Sequence, residues 1–147
     1  MPFTGPVEDR LAIRELVDMY GDAVSRYDAD AWGANWAEDA VWILNLTDLP
    51  KVEGRKAIVD LWVKAMTAYE YVLMTAKPGE ILVNGDRATG RFWTSEVTRL
   101  KTGEEQFIHG RYVDEYVKRG GRWLFASRTY TMIHLESLGV RKVTAQY

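Results

Sequence analysis

Asp28 stands at the end of an amphipathic stretch, directly after Tyr27 and eight residues beyond Tyr20. A carboxylate at the buried end of a helix loses part of its hydration, which raises its pKa and makes it a usable general base. Tyr20 could hydrogen-bond that carboxylate or a substrate. Asp28 could equally cap a short second helix, a role that Asp30 also fits. Arg128 follows Trp123-Leu124-Phe125 on the last long β-type run. Pointing inward, it would pair with Asp28 or bind an oxyanion or leaving group. Pointing outward, it would be a solvated strand arginine. Glu96 shares a run with Phe92 and Thr94. Alternation could bring all three to one side, where a buried Arg128–Glu96 pair is a further arrangement.

Other chemistries lack their residues. There is no cysteine, which excludes disulfides and thiolate metal sites. The two histidines, His109 and His134, lie 25 positions apart and form no ligand set of known spacing. No G-x-S-x-G elbow or phosphate-cradling glycine pattern occurs. A net charge of −2 argues against a nucleic-acid partner. Six Trp and eight Tyr are the unusual feature. Large aromatics fill cores, and they also line pockets for flat or apolar ligands.

The elements that must position these residues follow from periodicity. Ile13, Leu16, Val17, Tyr20, Val24 and Tyr27 mark one face of a helix over 8–27. Asp30 would cap a short helix running to about Ala37. Ala40–Leu46 reads as a strand, Thr47–Lys51 as a polar connection, and Arg55–Tyr69 as a third helix. Strands are expected over 71–76, 80–83, 87–100, 105–118 and 122–134. Turn signals separate them: Lys77-Pro78-Gly79, Asn84-Gly85-Asp86, Thr102-Gly103 and Gly120-Gly121. The tail after Ser137 fits a final strand, a partner contact or a frayed end. Helices first and strands last give an α+β domain of 147 residues, with a sheet curled over the long helix and a pocket at its open end. Met1–Val7 lacks a signal-peptide pattern and no run is long enough to span a bilayer, so the cytoplasm is the default location.

Several segments, in order, carry a resemblance. They are Glu8–Leu16, Tyr27-Asp28-Ala29-Asp30-Ala31-Trp32, Ala37-Glu38-Asp39-Ala40-Val41-Trp42, Val52–Ile58, Gly110–Tyr116 and Gly121-Arg122-Trp123-Leu124-Phe125. Together they resemble the SnoaL-like group of the nuclear transport factor 2-like superfamily over about Glu8–Ile133. The resemblance implies a cone-shaped barrel of a strongly curved, mixed but mainly antiparallel sheet wrapped around the N-terminal helix. It implies a cofactor-independent lyase, dehydratase, isomerase or cyclase acting on a cyclic or polycyclic organic molecule, with a helix-end carboxylate as base. Asp28 takes that place. The histidine that usually assists is missing, because Leu73 or Met74 stands there. The same fold also serves non-catalytic binding or assembly modules, including oxygenase small subunits. The resemblance implies a homodimer or homotrimer and a small apolar or aromatic ligand, with no membrane partner. It places Ile108 and Tyr112 in the pocket, which would send His109 outward unless a bulge at Gly110 reverses the alternation. The expected catalytic set is Asp28, Tyr20, Arg128 and His109. The expected ligand set is Trp42, Phe92, Thr94, Glu96, Ile108, Tyr112 and Tyr130, although Trp42 could be plain core. Trp36, Trp62 and Trp123 are expected in the core.

Overall fold

Helix α1 (Val7–Arg26) buries Ile13, Leu16, Val17, Tyr20 and Val24 along one side, as its spacing requires. The structure is a computed structural model describing residues 3–45, 48 and 51–142. The connection expected over Thr47–Lys51 therefore lies largely outside the described residues. A two-residue strand β1 (Phe3–Thr4) precedes α1. After α1 come α2 (Ala29–Gly33), β2 (Trp36–Leu44), β3 (Lys51–Glu53) and α3 (Arg55–Met66). Four long strands follow: β4 (Tyr69–Asn84), β5 (Arg87–Leu100), β6 (Glu104–Arg119) and β7 (Arg122–Val140).

Among the described residues one sheet of seven strands has the order β1-β4-β5-β6-β7-β2-β3. β1 is parallel to β4 and β2 is parallel to β7, and the remaining neighbours are antiparallel. The expected barrel stays open, with β1 and β3 as its edges. The concave face packs on α1. A ring cluster of Tyr20, Trp32, Trp36 and Phe125 joins helix to sheet, with centroids 5.4–6.2 Å apart. Asp9, in the first turn of α1, accepts from Trp123 Nε1 at 2.8 Å and Lys118 Nζ at 2.9 Å, which ties that end to the last hairpin.

Three differences from the sequence-based expectation have physical causes. Lys77-Pro78-Gly79 is no turn, because β4 runs through it with a register shift between Pro78 and Ile81. β1 pairs only with Ile81 and Leu82, so one side of β4 is unpaired at Pro78, where a residue without an N–H is tolerated. The second helix starts earlier, with Asp28 and not Asp30 as its N-cap. The last strand runs past the expected 134 to Val140, so the start of the tail after Ser137 is strand, held by Gly139 and Val140 against Glu105 and Glu104.

Candidate functional site

Strand alternation decides which side chains face the concave side. On β5 it sends Phe92, Thr94 and Glu96 inward and Trp93 outward. On β6 it sends Ile108, Gly110, Tyr112 and Asp114 inward, and β7 contributes Arg128 and Tyr130. Between this face and the C-terminal ends of α1 and α3 lies a cavity of about 200 Å³. Its walls are Trp42 and Leu44 from β2, Trp62 and Met66 from α3, and Val72 and Met74 from β4. Tyr20, Tyr69, Tyr112 and Tyr130 bring hydroxyls to it. Among the described residues Glu96 brings its one carboxyl group, and none of the lining residues is basic. A larger groove of about 320 Å³ runs past Thr4, Arg87 and Glu115, but those side chains lie exposed on the outer surface.

Glu96 has no hydrogen-bond or ion-pair partner among the described residues, and burial pushes its carboxyl up to about 7. An apolar wall withholds the hydration that a carboxylate needs. Burial also raises the four tyrosines, and the Glu96 charge adds to the effect on each. Tyr20 and Tyr112 lie hydroxyl to hydroxyl at 3.2 Å. One of the two must donate to the other, which leaves one proton for a ligand. The Trp42 indole N–H is buried without an acceptor among the described residues.

Arg128 points inward but sits behind the cavity wall. Its Nε and Nη2 donate to the two Asp114 oxygens at 2.8 and 3.1 Å, and Tyr116 donates to the same carboxylate at 2.8 Å. The guanidinium lies 3.6 Å from the Tyr112 ring centre, 4.1 Å from Phe125 and 4.3 Å from Tyr20. Burial raises Asp114 above the ordinary aspartate range, against the pull of Arg128 and Tyr116. Burial opposes the Arg128 charge, but Asp114 together with Tyr20 and Tyr112 outweighs it and keeps the guanidinium protonated. Arg128 therefore pairs with neither Asp28 nor Glu96, contrary to the arrangements expected from sequence. Asp114 was overlooked, although the alternation that places Tyr112 inward places it inward too.

Asp28 requires the main correction. Tyr27 ends α1 with φ 59°, in the left-handed conformation, and the chain turns at once into α2. Asp28 Oδ1 accepts from the Ala31 N–H at 2.9 Å, and Oδ2 accepts from Arg26 Nη1 at 2.9 Å. The Ala31 bond, followed by Arg26, lowers its pKa, the opposite of the shift that a desolvated base would show. Its side chain is 36% exposed and is absent from the cavity lining. His109 is also corrected. A bulge does fall between His109 and Gly110, but the extra residue, Ile133, lies on β7. The β6 alternation continues unbroken, and His109 faces solvent, bonded to Ser95 at 3.0 Å. Phe92 and Thr94 face inward but lie outside the cavity lining, whereas Tyr20, Trp42, Glu96, Ile108, Tyr112 and Tyr130 belong to it. Trp36 and Trp123 are core, but Trp62 also borders the cavity while stacking on Trp32 at 4.7 Å.

An open mixed sheet folded over an N-terminal helix, with an apolar cavity at the helix ends, defines a fold class, and residues 6–129 match the SnoaL-like domain. The chain belongs to that family. No curated protein matches it. Among solved structures, the hexachlorocyclohexane dehydrochlorinase LinA type 2 is 20% identical with a TM-score of 0.85, over 95% of each chain. A candidate aromatic ring hydroxylase of Novosphingobium aromaticivorans is 25% identical with a TM-score of 0.82, over 91% of this chain and 96% of that one. A candidate scytalone dehydratase of the same organism is 18% identical with a TM-score of 0.80, over 95% and 91%. The likeness to the dehydrochlorinase and the dehydratase is one of fold. Among the described residues, no helix is long and apolar enough to cross a membrane.

Proposed function

We propose that this chain is a cofactor-independent lyase or isomerase for a small, neutral cyclic molecule, with Glu96 as the group that moves the proton. One observation carries this reading: a single unpartnered carboxyl in an apolar, aromatic-walled cavity, raised by burial to about 7. A group that titrates near neutrality can serve as acid and as base, which is worth about 10²–10⁴-fold in rate. The names of two structural neighbours, a dehydrochlorinase and a dehydratase, point to elimination as the class to test first. The Tyr20–Tyr112 pair and the free Trp42 N–H would orient the ring's polar substituent.

The test is a turnover screen over cyclic alcohols and halides for loss of water or halide. Wild-type protein should turn over at least one member. Glu96→Gln should lower that rate at least about 100-fold while product affinity stays within about twofold. Undiminished turnover in Glu96→Gln overturns the assignment. A second reading, a ligand-binding module, is favoured by the histidines, since both His109 and His134 are exposed and neither lines the cavity. It predicts ligand affinity with no turnover across the screen.

A further inference from the structure

Four features of the cavity act on charge in the same direction. Among the described residues its one ionisable group besides tyrosine is an acid, and no lysine, arginine or histidine lines it. The nearest buried cation, Arg128, is neutralised by a bidentate contact with Asp114. The walls include Val24 from the last turn of α1 and Ala65 and Met66 from the last turn of α3, so the C-terminal turns of two helices, where the helix dipole is negative, border the same space. The rings of Trp42, Trp62, Tyr69 and Tyr130 border it, and aromatic faces attract cations. The rings of Tyr20 and Tyr112 already contact Arg128.

We propose that this cavity stabilises positive charge, and that its substrate is a neutral ring alcohol that loses water through a carbocation-like state. This rests on the assignment of Glu96 made above. Protonated Glu96 donates its proton to the hydroxyl oxygen. The C–O bond breaks, water leaves with the bonding pair, and the ring carbon becomes positive. The Glu96 carboxylate then takes a proton from the adjacent carbon, and that C–H pair becomes the new C=C bond. The acid is regenerated, and the net change is alcohol to alkene plus water. One carboxyl suffices for both transfers, so no second base is needed where Met74 stands.

The test uses three probes of one skeleton: benzyltrimethylammonium as the cation, benzyl alcohol as the neutral molecule and phenylacetate as the anion. Binding to the full chain is followed by tryptophan fluorescence. The groups facing Glu96 are Tyr20 from α1, Tyr69 from β4, Tyr112 from β6 and Tyr130 from β7. All four are raised and stay neutral below their ordinary range, so among the described groups that line the cavity Glu96 alone changes charge near neutrality. At about pH 8 the ammonium should bind about tenfold tighter than the alcohol, and phenylacetate weakest. The ammonium advantage should shrink toward about pH 6 as Glu96 takes up its proton, and Glu96→Gln should abolish that pH dependence. Phenylacetate binding as tightly as the ammonium, or a preference that does not change with pH in the wild type, overturns the proposal. The turnover test of Glu96 is independent of that result. If none of the three binds, this proposal fails, and the turnover screen alone decides the role of Glu96.

Discussion

Met74 and Glu96 are register partners on β4 and β5, and both side chains face the cavity. A thioether offers the carboxyl no useful hydrogen bond, and Ile108, its partner on β6, offers none. This explains why burial raises Glu96 to about 7 from the ordinary 4.5. Between those values the folded chain holds more protons than the unfolded chain, so stability falls as pH rises. With allowance for partial exposure, the cost above about pH 7 is on the order of 1–3 kcal/mol. Glu96→Gln should remove it. Urea unfolding should show the variant more stable than wild type at about pH 8 and the two close together at about pH 4. Parallel stability curves would mean that the carboxyl is well solvated.

Asp28 gives the opposite expectation. Its carboxylate is held by the Ala31 N–H and Arg26, outside the cavity. Asp28→Ala should lower the Tm by removing a cap, whereas Asp28→Asn should keep it, since asparagine caps equally well. Both should leave benzyl alcohol affinity within about twofold, because the sites are separate. Loss of that affinity in Asp28→Asn would restore the aspartate to the site.

Much of this was legible in the residues. Period 3.6 in 8–27 and period 2 in the later runs define the helix, its buried face and the long strands. Alternation groups Glu96 with Phe92 and Thr94 on one strand and Ile108 with Tyr112 on the next, and the family resemblance assigns the latter pair to the pocket side. Asp28 was not legible, because a helix-end aspartate reads the same whether it faces a pocket or caps the next helix. The left-handed turn at Tyr27 decides between them, and no glycine announces it. The His109 bulge was recognised at its place but not on its strand, since Gly110 marks the close approach and Ile133 is the inserted residue. The partner of Arg128 was missed because Asp114 is drawn to it by register, a relation between strands that one segment does not show.

Gly110 offers a steric probe of the cavity. A Cβ there would lie 2.3 Å from Cε2 of the Tyr130 ring. Overpacking ordinarily costs about 1–3 kcal/mol, but the far end of Tyr130 can turn into the cavity. Gly110→Ala should therefore lower stability toward the small end of that range and weaken benzyl alcohol binding at least about tenfold. Adding Tyr130→Ala should restore room for the ligand. Unchanged binding in Gly110→Ala would show that the ring moves elsewhere.

The buried cluster behind the cavity tests whether its charges are coupled. Asp114 and Arg128 are 0% and 1% exposed. Asp114→Leu strands a buried guanidinium, and Arg128→Met strands a carboxylate, so each should cost about 3–5 kcal/mol in chemical denaturation. The double substitution removes both charges together and should be less destabilised than either single variant. Its remaining deficit should include about 1–3 kcal/mol for the Tyr116 hydroxyl, which loses its acceptor, and further Tyr116→Phe should recover part of that. Additive losses in the double variant would mean that the two groups do not depend on each other. The same variant bears on the cavity. Arg128 stacks on Tyr112 and Tyr20, but its charge is matched by Asp114, so removing the pair should leave the ratio of ammonium to alcohol affinity nearly unchanged. A large shift in that ratio would show that the guanidinium field reaches through the tyrosine rings, and the cavity's preference for positive charge would then be set against a cation and not in its absence.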